Sequence, residues 1–282
     1  MRDPLPSAVE ARATVSGDLR VLSLDGEREL ASSRGVSRRD VQLAALERGI
    51  LPARYARSLG TVGLDGQRRL LLSRVAVFGA GGLGGYVVEG LARMGVGRIH
   101  VVDGDVFQEH NLNRQLLCTE DEIGRPKAAA AAERVARVNG AVEVVAHRRY
   151  LEEGNADDLL ADADVAVDAL DSVPVRLLLQ KAAARRGIPL VHGAIAGYLA
   201  QVTTVLPGDV GLHRFYRADA PAHGVETKLG NPAATPMFCA ALEVHEVVKC
   251  LLGVGTLLRD RLLVIDAGEG AADVVELGGA PS

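Results

Sequence analysis

Four short stretches hold the side chains with chemistry to offer. They are Asp103-Gly104-Asp105, Asn111-Leu112-Asn113-Arg114-Gln115, Gly124-Arg125-Pro126-Lys127 and Asp168-Ala169-Leu170-Asp171. Together they bring cations, asparagines and carboxylates. Carboxylates hold a hard divalent ion such as magnesium, and Arg and Lys neutralise phosphate oxygens. The mixture suits a triphosphate with its metal better than a nicotinamide, which needs an apolar slot. A fifth stretch, Gly79-Ala80-Gly81-Gly82-Leu83-Gly84-Gly85, places glycines 79, 81 and 84 in G-x-G-x-x-G order. Such a turn permits positive φ and lets a phosphate approach the backbone. The helix that follows offers free N–H groups and a positive dipole end to an anion. Asp103 lies near the ~20-residue offset at which a carboxylate meets a ribose hydroxyl, which suits NAD as well as ATP. Lys127 opens a helix, where a cation opposes the dipole, and this hints at a nearby anion. His192, after an apolar strand, reads as a core or lining residue rather than a metal ligand. Blander roles exist for some of these residues: Asp103 as a strand-end cap, Asp171 as a cap for the helix opened by Pro174, Arg114 as a surface ion pair.

The elements that must position them follow a regular alternation. Val75-Ala76-Val77-Phe78 reads as a buried parallel strand, with a helix over 83–94 behind the glycine turn. Strand 98–102 leads to an irregular loop, and Pro126 opens the alanine-rich helix 127–138. Strand 142–147, a short helix near 155–161, strand 164–168, helix 174–186 and a strand from Pro189 follow, then strand 201–206. Alternating strands and helices imply an α/β fold with a doubly wound, mainly parallel Rossmann-like sheet. All four chemical stretches follow or border carboxyl ends of strands, where ligands bind in open α/β sheets. Residues 1–70 read as a mostly helical extension. Within it Leu19–Leu24 suggests a strand and Asp25-Gly26 a turn. Ser37 with Asp40 forms a capping box, and Pro52 opens a short helix through Ser58. This arm looks too short for a core of its own. Residues 71–282 form the nucleotide-binding domain. It contains a long crossover loop at about 207–234, helix 236–252, and a closing strand pair near 262–266 and 273–277.

Composition narrows the classes. With 282 residues, 48% of them hydrophobic, the chain can bury a sizeable core. A net charge of −4 and a pI near 6.0 give no reason to expect a nucleic acid or an anionic membrane as partner. Met1-Arg2-Asp3-Pro4 has no apolar stretch behind it, so no signal peptide is expected, and no apolar run is long enough to span a bilayer. Cys118, Cys239 and Cys250 form no C-x-x-C pair, a pattern that fits a reducing cytoplasm.

In order and spacing, the glycine run, Asp103-Gly104-Asp105, Asn111-Leu112-Asn113-Arg114-Gln115, Lys127 and Asp168-Ala169-Leu170-Asp171 resemble the ThiF/MoeB/HesA family over roughly residues 52–270. These relatives of ubiquitin-activating enzymes adenylate the C-terminal glycine of small sulfur-carrier proteins. The resemblance implies ATP and magnesium as ligands, with Gly79, Gly81, Gly82, Gly84 and Gln115 in the nucleotide site. It implies that Asp103 binds the ribose, that Asn111, Arg114 and Lys127 bind phosphates, and that Asp171 holds magnesium with Asp105. Arg54-Tyr55-Ala56-Arg57 resembles a segment whose last arginine reaches the partner subunit's phosphates, so Arg57 becomes a site residue in trans of a homodimer. Ser58 stands where glutamine is usual. The implied partner is a small ubiquitin-like carrier ending in Gly-Gly.

The chain departs from the family at one structural feature. Many relatives hold a zinc ion with two C-x-x-C pairs. The matching stretches here, 211–216 and 231–236, contain no cysteine, so no structural zinc is expected. Residues 207–234 also lack a cysteine that could bond a carrier. Three other readings compete: a nucleotide-binding scaffold without turnover, an NAD-dependent oxidoreductase, and adenylation of a non-carrier substrate such as a tRNA base or a peptide.

Overall fold

The computed structural model describes residues 4–217 and 224–278. It begins with α1 (Leu5–Arg12), β1 (Thr14–Ser16), β2 (Leu19–Leu22), α2 (Leu24–Arg34), α3 (Arg38–Glu47), β3 (Leu51–Pro52) and α4 (Leu59–Leu72). The capping box forms as expected: Ser37 Oγ accepts the Asp40 N–H, and the Asp40 carboxylate accepts the Ser37 N–H. Two local expectations fail. Asp25-Gly26 is no turn but the first turn of α2, because Ser23 caps that helix by accepting the Gly26 N–H at 3.1 Å. Pro52 caps only a 3₁₀ turn at Ala53–Tyr55, and the expected helix does not run on through Ser58. Pro52 ends the edge strand β3, parallel to β2, where a missing N–H is tolerated.

This stretch has an apolar cluster of its own, built around Val9, Leu22, Leu30, Val41, Ala45 and Ile50, which corrects the expectation of an arm without a core. A line of buried polar groups joins it to the rest. Gln42 Nε2 donates to Glu27 (2.8 Å), and the Tyr55 hydroxyl donates to Gln42 Oε1 (3.0 Å). Asn139 Nδ2 donates to the Tyr55 oxygen (3.0 Å) and to the Ala92 carbonyl (2.9 Å). Burial pushes the Tyr55 phenol up to about 12.

The main sheet and its helices follow as β4 (Arg74–Phe78), α5 (Gly82–Met94), β5 (Arg98–Val102), α6 (Lys127–Val138), β6 (Glu143–His147), α7 (Ala156–Leu159), β7 (Val165–Asp168), α8 (Val173–Arg186), β8 (Leu190–Ala196), β9 (Leu199–Val205), α9 (Glu226–Leu229), α10 (Ala234–Leu252), β10 (Arg261–Asp266) and β11 (Ala271–Glu276). The strand order is β11-β10-β9-β8-β7-β4-β5-β6. The five strands from β6 to β8 run parallel, and β9, β10 and β11 add antiparallel. The doubly wound, mainly parallel sheet is therefore present. Strand β4 shows why it forms. Val75, Ala76, Val77 and Phe78 are all fully buried, and alternate side chains feed opposite faces. Val75 and Val77 pack with residues of α5, α6 and α10, while Ala76 and Phe78 pack with those of α7 and α8. The crossover region holds a 3₁₀ turn at Gly211–Arg214 and the short α9, and residues 218–223 lie outside the described residues. No helix among the described residues is long and apolar enough to cross a membrane.

The chain leaves β4 for β5 on one side and returns to β7 on the other. The carboxyl ends of β4, β5 and β7 therefore diverge and open a crevice, the topological switch point of a doubly wound sheet.

Candidate functional site

A cavity of about 330 Å³ occupies that crevice. Gly79, Gly81, Gly82, Asp103, Asp105, Arg114, Gln115, Lys127 and Asp171 all line it. Five separate stretches of sequence thus meet at the ends of three strands. Gly79 has φ 94°, and a Cβ there would lie 2.5 Å from the Ala169 carbonyl oxygen, so only glycine lets the β4 and β7 turns touch. Helix α5 starts at Gly82 with no side chain capping it, which leaves its first N–H groups facing the cavity.

The carboxylates differ in their partners. Asp103 accepts the N–H of Ala80 at 2.7 Å and of Asp105 at 2.8 Å, so it braces the glycine turn, and lone pairs remain for a hydroxyl. Burial pushes its carboxyl up, partly offset by Lys127. Asp105 lies 3.0 Å from Lys127 Nζ and accepts the Tyr150 hydroxyl at 2.7 Å. Burial alone would raise its carboxyl, but Tyr150 and Lys127 outweigh that and hold it below the usual range. The anion that the position of Lys127 hinted at is therefore Asp105, within the chain itself. Asp171 is exposed at the cavity and has no hydrogen-bond or ion-pair partner among the described residues.

Three of the expected residues do not reach the wall. Gly84 lies one turn into α5, and a Cβ there would sit 1.8 Å from the Gly79 carbonyl oxygen. Its role is close packing of helix on turn. Asn111 is buried, and its Oδ1 accepts the Gln108 N–H at 3.0 Å while its carbonyl accepts the N–H of Arg114 and of Gln115. It shapes the loop that presents Arg114. Arg57 is exposed and outside this chain's cavity. Its neighbours are anchored: Arg54 Nη1 donates to the Val138 carbonyl at 3.0 Å, and Tyr55 is buried.

The wall fits a nucleotide on its own evidence. Gln115 Oε1 and Asn231 Oδ1 are buried there without partners, a cost that a polar ligand would remove. Arg114 spends one nitrogen on the His110 carbonyl and Asn113 Oδ1, and the rest of its fork is free for phosphate oxygens. The donor set also fits magnesium, a hard cation, because Asp171 and Asp105 border the same space. Among the described residues no group of three or more His, Cys, Asp or Glu could hold a metal ion by itself, so a magnesium ion here would need the phosphates as further ligands.

Residues 55–281 match the ThiF family. The chain belongs to the ThiF family. This ThiF-family chain is 40% identical over 219 residues to the SAMP-activating enzyme E1 of Haloferax volcanii, covering 76% of the chain and 81% of that protein. It is 38% identical over 226 residues to the sulfur carrier protein adenylyltransferase of Thermus thermophilus, covering 77% and 83%. Among solved structures, E. coli MccB with AMPCPP and MccA superposes with a TM-score of 0.70 at 21% identity, over 81% of the chain and 72% of MccB, a likeness of fold.

In this ThiF-family chain, Arg149, Tyr150 and Arg176 line the cavity although no sequence motif named them. Arg149 and Tyr150 follow the carboxyl end of β6, so the strand-end rule could have found them. Tyr150 lays its ring over Gly104, where a Cβ would meet it at 2.7 Å. The three thiols are all held protonated by burial. Cys118 is raised, Cys239 is raised well above the usual range, and Cys250 is pushed up to about 12.

Proposed function

We propose that the chain adenylates the C-terminal glycine of a small ubiquitin-like carrier protein and releases pyrophosphate. The chain is an ATP-dependent adenylyltransferase. The observation that carries the reading is one cavity at the switch point that gathers an uncapped helix N-terminus, Arg114, Lys127 and Asp171. A carrier's terminal carboxylate attacks the α-phosphorus of ATP, the bond to the β-phosphate oxygen breaks, and pyrophosphate leaves. With a pKa of about 3.5 the carboxylate is already ionised, so no general base is needed. The protein supplies position and charge.

In this reading Asp103 meets the ribose, the Gly81–Leu83 backbone the phosphates, and Arg114 and Lys127 the charge that builds on the leaving pyrophosphate. Magnesium held by Asp171 and Asp105 would supply further neutralisation of the triphosphate. Lys127 and Asp105 must part from each other to take up these roles. We also propose a cytoplasmic homodimer, in which the anchoring of Arg54 and Tyr55 projects Arg57 toward the partner's site. ATP–pyrophosphate exchange tests the reading. It should require magnesium and a carrier with a Gly-Gly tail, and Arg114→Ala and Asp171→Ala should each lose about 10²-fold or more, the scale of one transition-state charge partner. Near-normal exchange in both variants would sink it.

A further inference from the structure

Asp168, the last residue of β7, is fully buried, and its partners assign every proton around it. Its Oδ2 lies 2.7 Å from His192 Nδ1 on β8. His192 Nε2 lies 3.4 Å from the Tyr216 hydroxyl. That hydroxyl accepts from Arg176 Nη1 at 2.7 Å and from Gln201 Nε2 at 2.9 Å. A phenol has one proton and two lone pairs. With both lone pairs taken by donors, the proton of Tyr216 goes to His192 Nε2. His192 then carries its own proton on Nδ1 and gives it to Asp168. Burial lowers the pKa of His192, in keeping with the neutral ring.

The network closes on the turn that leads to Asp171. The Leu170 N–H donates to Asp168 Oδ1 at 3.0 Å. The Leu170 carbonyl accepts from Arg176 twice, from Nε at 3.1 Å and from Nη2 at 2.6 Å. The Ala169 N–H is held by the Phe78 carbonyl at 2.9 Å. Leu170 is thus fixed at both ends, and its carbonyl belongs to the peptide unit that carries the Asp171 nitrogen. Arg176 itself is buried, with its guanidinium 5.5 Å from the centre of the Tyr216 ring. Of the turn 169–172, which lines the cavity, Asp171 is the one exposed residue.

We infer that Arg176 and Tyr216 are positioning residues for Asp171. They join the segment after β9 to the turn after β7, and so set where the Asp171 carboxylate stands in the nucleotide cavity. Arg176 supplies three of the bonds, and Tyr216 keeps its guanidinium in the plane that serves Leu170. The inference rests on the reading of Asp171 as the carboxylate that meets the nucleotide's metal. A part that only held the fold together would change the melting temperature and leave metal affinity alone. A positioning pair changes metal affinity.

The test uses full-length Tyr216→Phe, Arg176→Lys and Asp171→Ala proteins, each checked for melting temperature. Free manganese(II) is counted by electron paramagnetic resonance while the metal is titrated into protein with a non-hydrolysable ATP analogue. Magnesium titration of pyrophosphate exchange runs alongside. Tyr216→Phe keeps the ring and should weaken manganese binding by about tenfold or more, the scale of losing the charge-assisted hydrogen bond from Arg176. Arg176→Lys, which keeps the charge but not the fork, should lose more, and both should need correspondingly more magnesium for half-maximal exchange. If Asp171→Ala loses metal affinity while both folded variants keep the wild-type value, the positioning role is overturned and the reading of Asp171 stands. If Asp171→Ala itself binds manganese and exchanges like wild type, the reading of Asp171 fails and takes the inference with it.

Discussion

Asp105→Asn separates two roles that the structure gives one carboxylate. In the free protein Asp105 is tied to Lys127 at 3.0 Å and to Tyr150 at 2.7 Å. The nucleotide must open the Lys127 bridge. Half of the Asp105 side chain is exposed, so that bridge is worth at most about 1 kcal/mol. Removing the charge therefore aids nucleotide entry by no more than about fivefold. Removing a carboxylate that holds the metal costs about 2.7 kcal/mol or more in the transition state. The difference, about 1.7 kcal/mol, is a net loss near 20-fold in kcat/KM for magnesium ATP. Asparagine is isosteric and still accepts the Tyr150 hydroxyl, so the loop keeps its shape. Pyrophosphate exchange at saturating carrier, with ATP varied in excess magnesium, measures the ratio. An unchanged or increased kcat/KM would refute Asp105 as a metal carboxylate and leave it only as the resting partner of Lys127.

Three further outcomes are expected. Inactive Arg57→Ala and Asp171→Ala subunits, mixed and allowed to exchange, should regain activity, because one site per mixed dimer has both residues; no recovery after confirmed exchange counts against a trans role for Arg57. Gly84→Ala drives a methyl into the Gly79 carbonyl and should lower both the melting temperature, by several degrees, and ATP affinity, so wild-type ATP binding would contradict the packing argument. Incubated with ATP and carrier, wild type and Cys118→Ser should look alike on non-reducing gels and in mass spectra, since burial keeps all three thiols protonated; a reductant-sensitive or thioester adduct lost in Cys118→Ser would overturn this.

The sheet and most of the cavity wall were legible because their signals are local. A run such as Val75–Phe78 followed by glycines can hardly be anything but strand, turn and helix, and strand ends point to one edge of the sheet. What was hidden depends on neighbours distant in sequence. Pro52 looks like the opener of a helix through Ser58, but it pairs with β2 and caps only one 3₁₀ turn. Gly84 fits the glycine pattern as well as Gly81 does, and only the approach of Gly79 shows that it packs rather than lines. The helix-opening position of Lys127 points to a ligand's anion, but its anion at rest is Asp105. Arg176 carries no motif at all, and its importance appears only where Leu170, Tyr216 and Asp168 converge.

The buried polar line from Glu27 through Gln42, Tyr55 and Asn139 to Ala92 has a consequence for how the molecule comes apart. Each apolar cluster could in principle melt by itself. The line cannot be divided without stranding donors and acceptors away from water, at roughly 1–3 kcal/mol for each orphan. Opening the first fifty residues therefore weakens the end of α6, and loosening α6 strips Tyr55 of a partner. The N-terminal cluster and the core of the main sheet are bound into one cooperative unit, and heat should unfold them in a single transition.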